Sequence, residues 1–130
     1  MPKKSQDAFL QFLKKKRKEV SKQQILFTYV PQIGSFENLK GRIVNVNPPD
    51  YKVSVYIKVG SNWWMKPYWA SPLTNILNDS NWVTDITTGG TDQNATDLVG
   101  AIVTPDYVPI NYVIPSIQDS KVKAITSVKR

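Results

Sequence analysis

The sequence predicts an all-β domain: an antiparallel sandwich of about seven short strands, with a basic, helix-compatible N-terminal arm ahead of it. Three observations carry that prediction. From residue 25 onward, β-branched and aromatic residues gather in short runs broken by Pro, Gly, Asn and Asp. Residues 51–59 alternate cleanly between two faces. After residue 24 no run has the helical period that the crossovers of a parallel sheet would need. At 130 residues, 41% apolar and 21% charged, the chain suits one domain with one core.

Residues 25–30 read as the first strand, closed by Pro31. A loop with Gly34, Ser35 and Asn38 leads to a second strand at 39–46, followed by the turn Asn47-Pro48-Pro49-Asp50. Residues 51–59 place Tyr51, Val53, Val55, Ile57 and Val59 on one face and Lys52, Ser54, Tyr56 and Lys58 on the other, the pattern of a half-buried strand. Gly60-Ser61-Asn62 turns the chain into 63–66, and Pro67 and Pro72 punctuate the next stretch. Residues 73–77 and 82–87 flank the turn 78–81 and are expected to pair as a hairpin. After Gly89-Gly90, strands are expected at 98–104 and 122–128. The expected core is Val53, Val55, Ile57, Trp82, Ile86, Leu98, Ile102 and Ile125. An immunoglobulin- or fibronectin-like sandwich without a disulfide fits this spacing, with a small closed barrel as the alternative.

The net charge of +7 is unevenly spread. Residues 1–24 carry +6, residues 25–130 carry +1, and residues 37–119 carry −3. Electrostatic attraction to a partner therefore belongs to the arm. In it, Ser5 can cap a helix, Phe9, Phe12 and Leu13 fall at helical spacing, and Lys14, Lys15, Lys16, Arg17 and Lys18 form an unbroken basic run. This segment reads as a solvated extension, as a groove-docking element using Phe9, Phe12 and Leu13, or as a weak contact to an anionic polymer or membrane surface. Nothing in it reads bases, so sequence-specific nucleic-acid binding is not expected. No stretch matches the uninterrupted apolar core of a signal peptide, about 7–15 residues, or a membrane span of about 20. The expectation is an intracellular or particle-associated chain, unless it is exported by another route.

Cysteine and histidine are both absent, which removes disulfides, thiol nucleophiles, imidazole bases and His/Cys metal ligands. Asp92, Asn94, Thr96 and Asp97 offer oxygens in a calcium-like run. Val103 stands at its twelfth position, however, so a capped turn is the better reading and no metal or cofactor is expected. Thr87-Thr88-Gly89-Gly90-Thr91 lacks the Lys-Ser/Thr of a phosphate loop. Asp79 and Asp85 form a carboxylate pair with no cleft around it, and a non-catalytic chain is expected.

The most informative chemistry is Trp63-Trp64-Met65-Lys66-Pro67-Tyr68-Trp69, which holds three of the four tryptophans. Along a strand Trp63 and Trp64 point to opposite faces, so one of them needs cover other than the core. Aromatic faces suit the C–H face of a sugar. Trp63, Trp64, Tyr68 and Trp69, with Asn62 and Lys66 as hydrogen-bonding neighbours, are the candidate ligand platform. The same rings also suit plain structural packing or a protein contact.

The runs FTYVPQIGSFENLKGRIVNVNPPDYKVSVYIKV, NWWMKPYW, SPLTNI, NWVTDITTGG and DQNATDLVGAIV resemble a bacterial immunoglobulin-like β-sandwich module of surface or secreted proteins associated with polysaccharides. The resemblance spans most of residues 25–130. It departs from that group at Asp79-Ser80-Asn81, where an Asp-Gly turn usually precedes the tryptophan. It implies a carbohydrate-recognition module whose partner is a polysaccharide or glycan. The lone sandwich with its basic arm fits a second expectation, a structural subunit of a virion or other large protein assembly tethered by residues 1–24.

Overall fold

The computed structural model describes residues 22–130; Phe9, Phe12, Leu13 and the basic run 14–18 lie outside them. Eight strands follow in chain order among the described residues: β1 Gln24–Tyr29, β2 Leu39–Val44, β3 Lys52–Val59, β4 Asn62–Lys66, β5 Leu73–Asn75, β6 Asn81–Thr84, β7 Asp97–Val103 and β8 Val122–Lys129. They form two antiparallel sheets, one ordered β1-β2-β6 and the other β4-β3-β7-β8, with β5 also paired to β3. The all-β, two-sheet expectation holds in this form.

Local chemistry explains the β3–β4 turn and the end of β2. Gly60, with a φ of 63°, supplies the left-handed residue of the two-residue turn that sets Val59 opposite Asn62. Asn45, with a φ of 58°, ends β2 at Val44, two residues before the expected end. Its side-chain amide donates to the Lys22 carbonyl at 3.0 Å, which ties the residues just ahead of β1 to the end of β2. Ile25, Leu39, Ile43, Val53, Val55, Ile57, Trp82, Ile86, Leu98 and Ile102 meet between the sheets as the core. Arg130 fastens the far side of that core. Its guanidinium donates to the carbonyls of Ala95 at 2.7 Å and Pro31 at 3.0 Å.

Three expectations are corrected. The hairpin expected between residues 73–77 and 82–87 does not form: β5 pairs with β3 in one sheet and β6 with β2 in the other. The turn itself is tight, with Ser80 at a φ of 72° and the Leu77 N–H donating to the Asn81 carbonyl at 2.9 Å. It carries the chain from one layer to the other, and the Thr74 and Thr84 hydroxyls meet across the gap at 2.6 Å. The reason lies in β2. Trp82 sits directly opposite Gly41, where the missing side chain leaves room for the indole.

Second, β3 is buried on both faces, not one. Ser54 and Tyr56, on its outer face, are inaccessible to solvent. The connection between β7 and β8, residues 104–121, folds back over this face. The Tyr56 hydroxyl donates to the Ile110 carbonyl at 2.7 Å and accepts from the Ile110 N–H at 3.0 Å. Burial, reinforced by the neighbouring Tyr107, pushes the Tyr56 phenol well above the usual tyrosine range. Third, Ile125 is not a core residue. Ala124 stands opposite the core residue Ile102, and Ile125 opposite Ala101 on the outer face, so Ala124 enters the core and Ile125 faces outward.

Candidate functional site

The alternation of β4 divides the aromatic cluster. Trp63 and Met65 point to the outer face, where the half-buried Trp63 packs against Tyr56, Met65 and Val99. The Lys58 ammonium lies 5.9 Å from the Trp63 ring centroid, a cation–π distance. Trp64 and Lys66 point to the opposite face, and Trp64 packs at the margin of the core. The Tyr112 ring meets Trp64 edge-on at 5.2 Å, and the Tyr112 N–H donates to the Trp63 carbonyl at 2.8 Å. Each tryptophan is thus partly covered, by a different part of the chain.

Past β4, the cis Lys66–Pro67 peptide leads into a turn closed by the Ser71 N–H on the Tyr68 carbonyl at 3.1 Å. That turn presents the two open rings: Tyr68 is 55% and Trp69 75% exposed. Trp64, Tyr68, Trp69, Thr88 and Asn111 line a groove of about 280 Å³. On the other side of Trp64 lies a second groove of about 360 Å³, bounded by Val59, Thr88, Gly89, Gly90 and Thr91. Both grooves share Trp64, Lys66 and Thr88, which makes one depression with aromatic rings on one bank and a polar loop on the other.

The polar bank is held by a closed network. Lys66, nearly buried, pairs its ammonium with the Asp92 carboxylate and donates to the Thr88 hydroxyl at 3.0 Å. Thr88 donates in turn to the Pro67 carbonyl at 2.7 Å. Asp92 Oδ2 also accepts the N–H groups of Thr88 and Gly89, each at 3.1 Å. Two of the backbone amides that could have cradled an anion at 87–91, those of Thr88 and Gly89, are therefore turned onto the chain's own carboxylate. Asp97 is engaged separately, its carboxylate accepting the Thr96 hydroxyl at 2.7 Å. Among the described residues no group of three or more His, Cys, Asp or Glu could hold a metal ion. Asp79 and Asp85 likewise serve local turns, accepting the N–H groups of Asn81 at 3.1 Å and Thr87 at 2.9 Å. The Asn81 N–H holds the exposed Asp79 carboxyl below its ordinary range.

Of the six residues expected to form the platform, Trp64, Lys66, Tyr68 and Trp69 come together around the depression. Trp63 lies on the other face of β4, and Asn62 stands exposed at the hairpin end. Lys66 is present as half of a buried ion pair, not as a free hydrogen-bonding group. Sequence reasoning missed Asn111 and Tyr112, because nothing local marks which part of a long connection returns to β4. It also missed the Lys66–Asp92 pair, whose members lie 26 positions apart. No family model, no curated protein and no solved structure matches this chain, so comparison supports no module family for it.

Proposed function

We propose that the chain is a non-catalytic glycan-binding module built on an immunoglobulin- or fibronectin-like sandwich, with Trp64, Tyr68 and Trp69 as its aromatic surface. The observation that carries this reading is the pair of open rings, Tyr68 and Trp69, held on a closed turn beside a polar bank. An exposed indole costs solubility and gives the fold little, whereas its flat face stacks well on a pyranose ring. Thr91 and Asn111, which line the grooves, add polar groups suited to sugar hydroxyls. Trp69→Ala and Tyr68→Ala are each expected to weaken binding to a polysaccharide by about 1–3 kcal/mol. Their melting temperatures should stay close to that of the parent, since both rings lie outside the core. Calorimetric titration alongside thermal melts checks this, and unchanged affinity in both variants would sink the reading.

A second reading, a subunit of a larger particle, is favoured by a separate observation. Residues 104–121 expose the aliphatic side chains of Val108, Ile110, Val113, Ile114 and Ile117, which suit a protein neighbour. Here residues 1–24, the basic arm, are the tether. Deleting them should preserve cooperative unfolding and abolish co-sedimentation with the particle. If cooperativity disappears instead, the segment is part of the fold and is not a tether.

A further inference from the structure

The charge of the whole chain points towards acidic polysaccharides; the depression around Trp64 points the other way. We infer that this depression selects uncharged sugar chains, such as neutral glucans, mannans or xylans, over uronate-containing or sulfated ones. The inference rests on the glycan-binding reading and adds the ligand class.

Binding an anion requires a cation or backbone amides that are not already engaged. Among the described residues, Lys66 is the one cation lining either groove, and its ammonium is closed off by Asp92 and Thr88. The amides of Thr88 and Gly89 are taken up by that same carboxylate. An incoming carboxylate or sulfate would lose its water, find no uncompensated positive charge and approach Asp92. Residues 37–119, which contain all of this lining, carry a net charge of −3 and add a further unfavourable field.

Uncharged hydroxyls meet a different surface. The rings of Trp64, Tyr68 and Trp69 offer apolar faces, and Thr91, Gly90 and Asn111 offer neutral polar groups. Asn111 already accepts the Met65 N–H through Oδ1 at 3.0 Å, which fixes the carboxamide and leaves its NH₂ to donate to a hydroxyl oxygen. The +6 of residues 1–24 acts in a different way, through long-range attraction that salt removes.

The test uses the full chain and its Trp69→Ala variant. Each is titrated with neutral polymers (xylan, glucomannan, a mixed-linkage glucan) and acidic ones (polygalacturonate, heparin), at low and at high salt. The expected result is at least one neutral polymer whose affinity falls about tenfold or more in the variant and does not change with salt. Binding to the acidic polymers should be equal in the two proteins and vanish at high salt. Trp69-dependent binding that is stronger for an acidic polymer and weakens with salt would overturn the ligand class while leaving the aromatic platform standing. Failure of the parent to bind any polymer, or equal affinities of parent and variant for all of them, would remove the platform reading and this inference together.

Discussion

Gly41→Ala is expected to destabilise the protein by about 3–5 kcal/mol, as much as losing a buried tryptophan. A Cβ at position 41 would stand 2.1 Å from Cζ2 and 2.2 Å from Cε2 of Trp82, and 2.5 Å from the Leu26 carbonyl oxygen. Real Cβ atoms do not come so close. The indole cannot slide aside easily, because Trp82 is fully buried and packs edge-on against Phe27 at 6.0 Å. Either Trp82 leaves the core or β1 and β6 shift on β2. Trp82→Ala alone should cost about the same, and the double variant much less than the two costs added, since removing the ring removes the principal clash. Rescue will stop short of complete, because the Leu26 carbonyl remains. Urea midpoints of the four proteins measure this, and a Gly41→Ala cost below about 1 kcal/mol would show that the indole is not seated as described.

The second large effect concerns the Lys66–Asp92 pair. Lys66→Met leaves a nearly buried carboxylate without its cation, and Asp92→Asn leaves the ammonium without its anion. Each is expected to cost about 3–5 kcal/mol at neutral pH. In the double variant both charges are gone, while the carboxamide oxygen introduced by Asp92→Asn still accepts the amides of Thr88 and Gly89. Its cost should fall below that of either single change. Strictly additive costs would mean that the pair does not act as a unit. Because the network also holds Thr88 on the Pro67 carbonyl, the single variants should loosen the polar bank and weaken polysaccharide binding beyond their effect on folding.

Several features were legible because they are local. The alternation of residues 51–59 marks β3 whatever it pairs with, since side chains along any strand point alternately to two faces. Gly60 marks its hairpin for a similarly local reason, a positive φ that only a few residues accept. The opposite orientations of Trp63 and Trp64 follow from the same alternation, so the division of the aromatic cluster was implicit in two adjacent letters. Tyr68 and Trp69, between Pro67 and Pro72, are exposed as a Pro-flanked loop suggests.

Other features depend on which distant segments meet, and a single sequence encodes that only through the summed packing of the whole chain. Trp82 reads as a core residue, but its place on β2 instead of β5 depends on the space over Gly41, four strands earlier in the chain. Burial of Tyr56 depends on Ile110, 54 positions later, returning across the sheet. Ile125 looks identical to a core residue until the register of β8 on β7 sets it opposite Ala101, on the outer face. Lys66 reads as an available cation until the fold delivers Asp92 to it. Where strands form and which rings cluster are written in the chain itself, because both follow from nearest neighbours. Strand partners, the second buried layer and the neutrality of the Trp64 depression emerge only on folding, because each is a contact between residues that chain connectivity does not bring together.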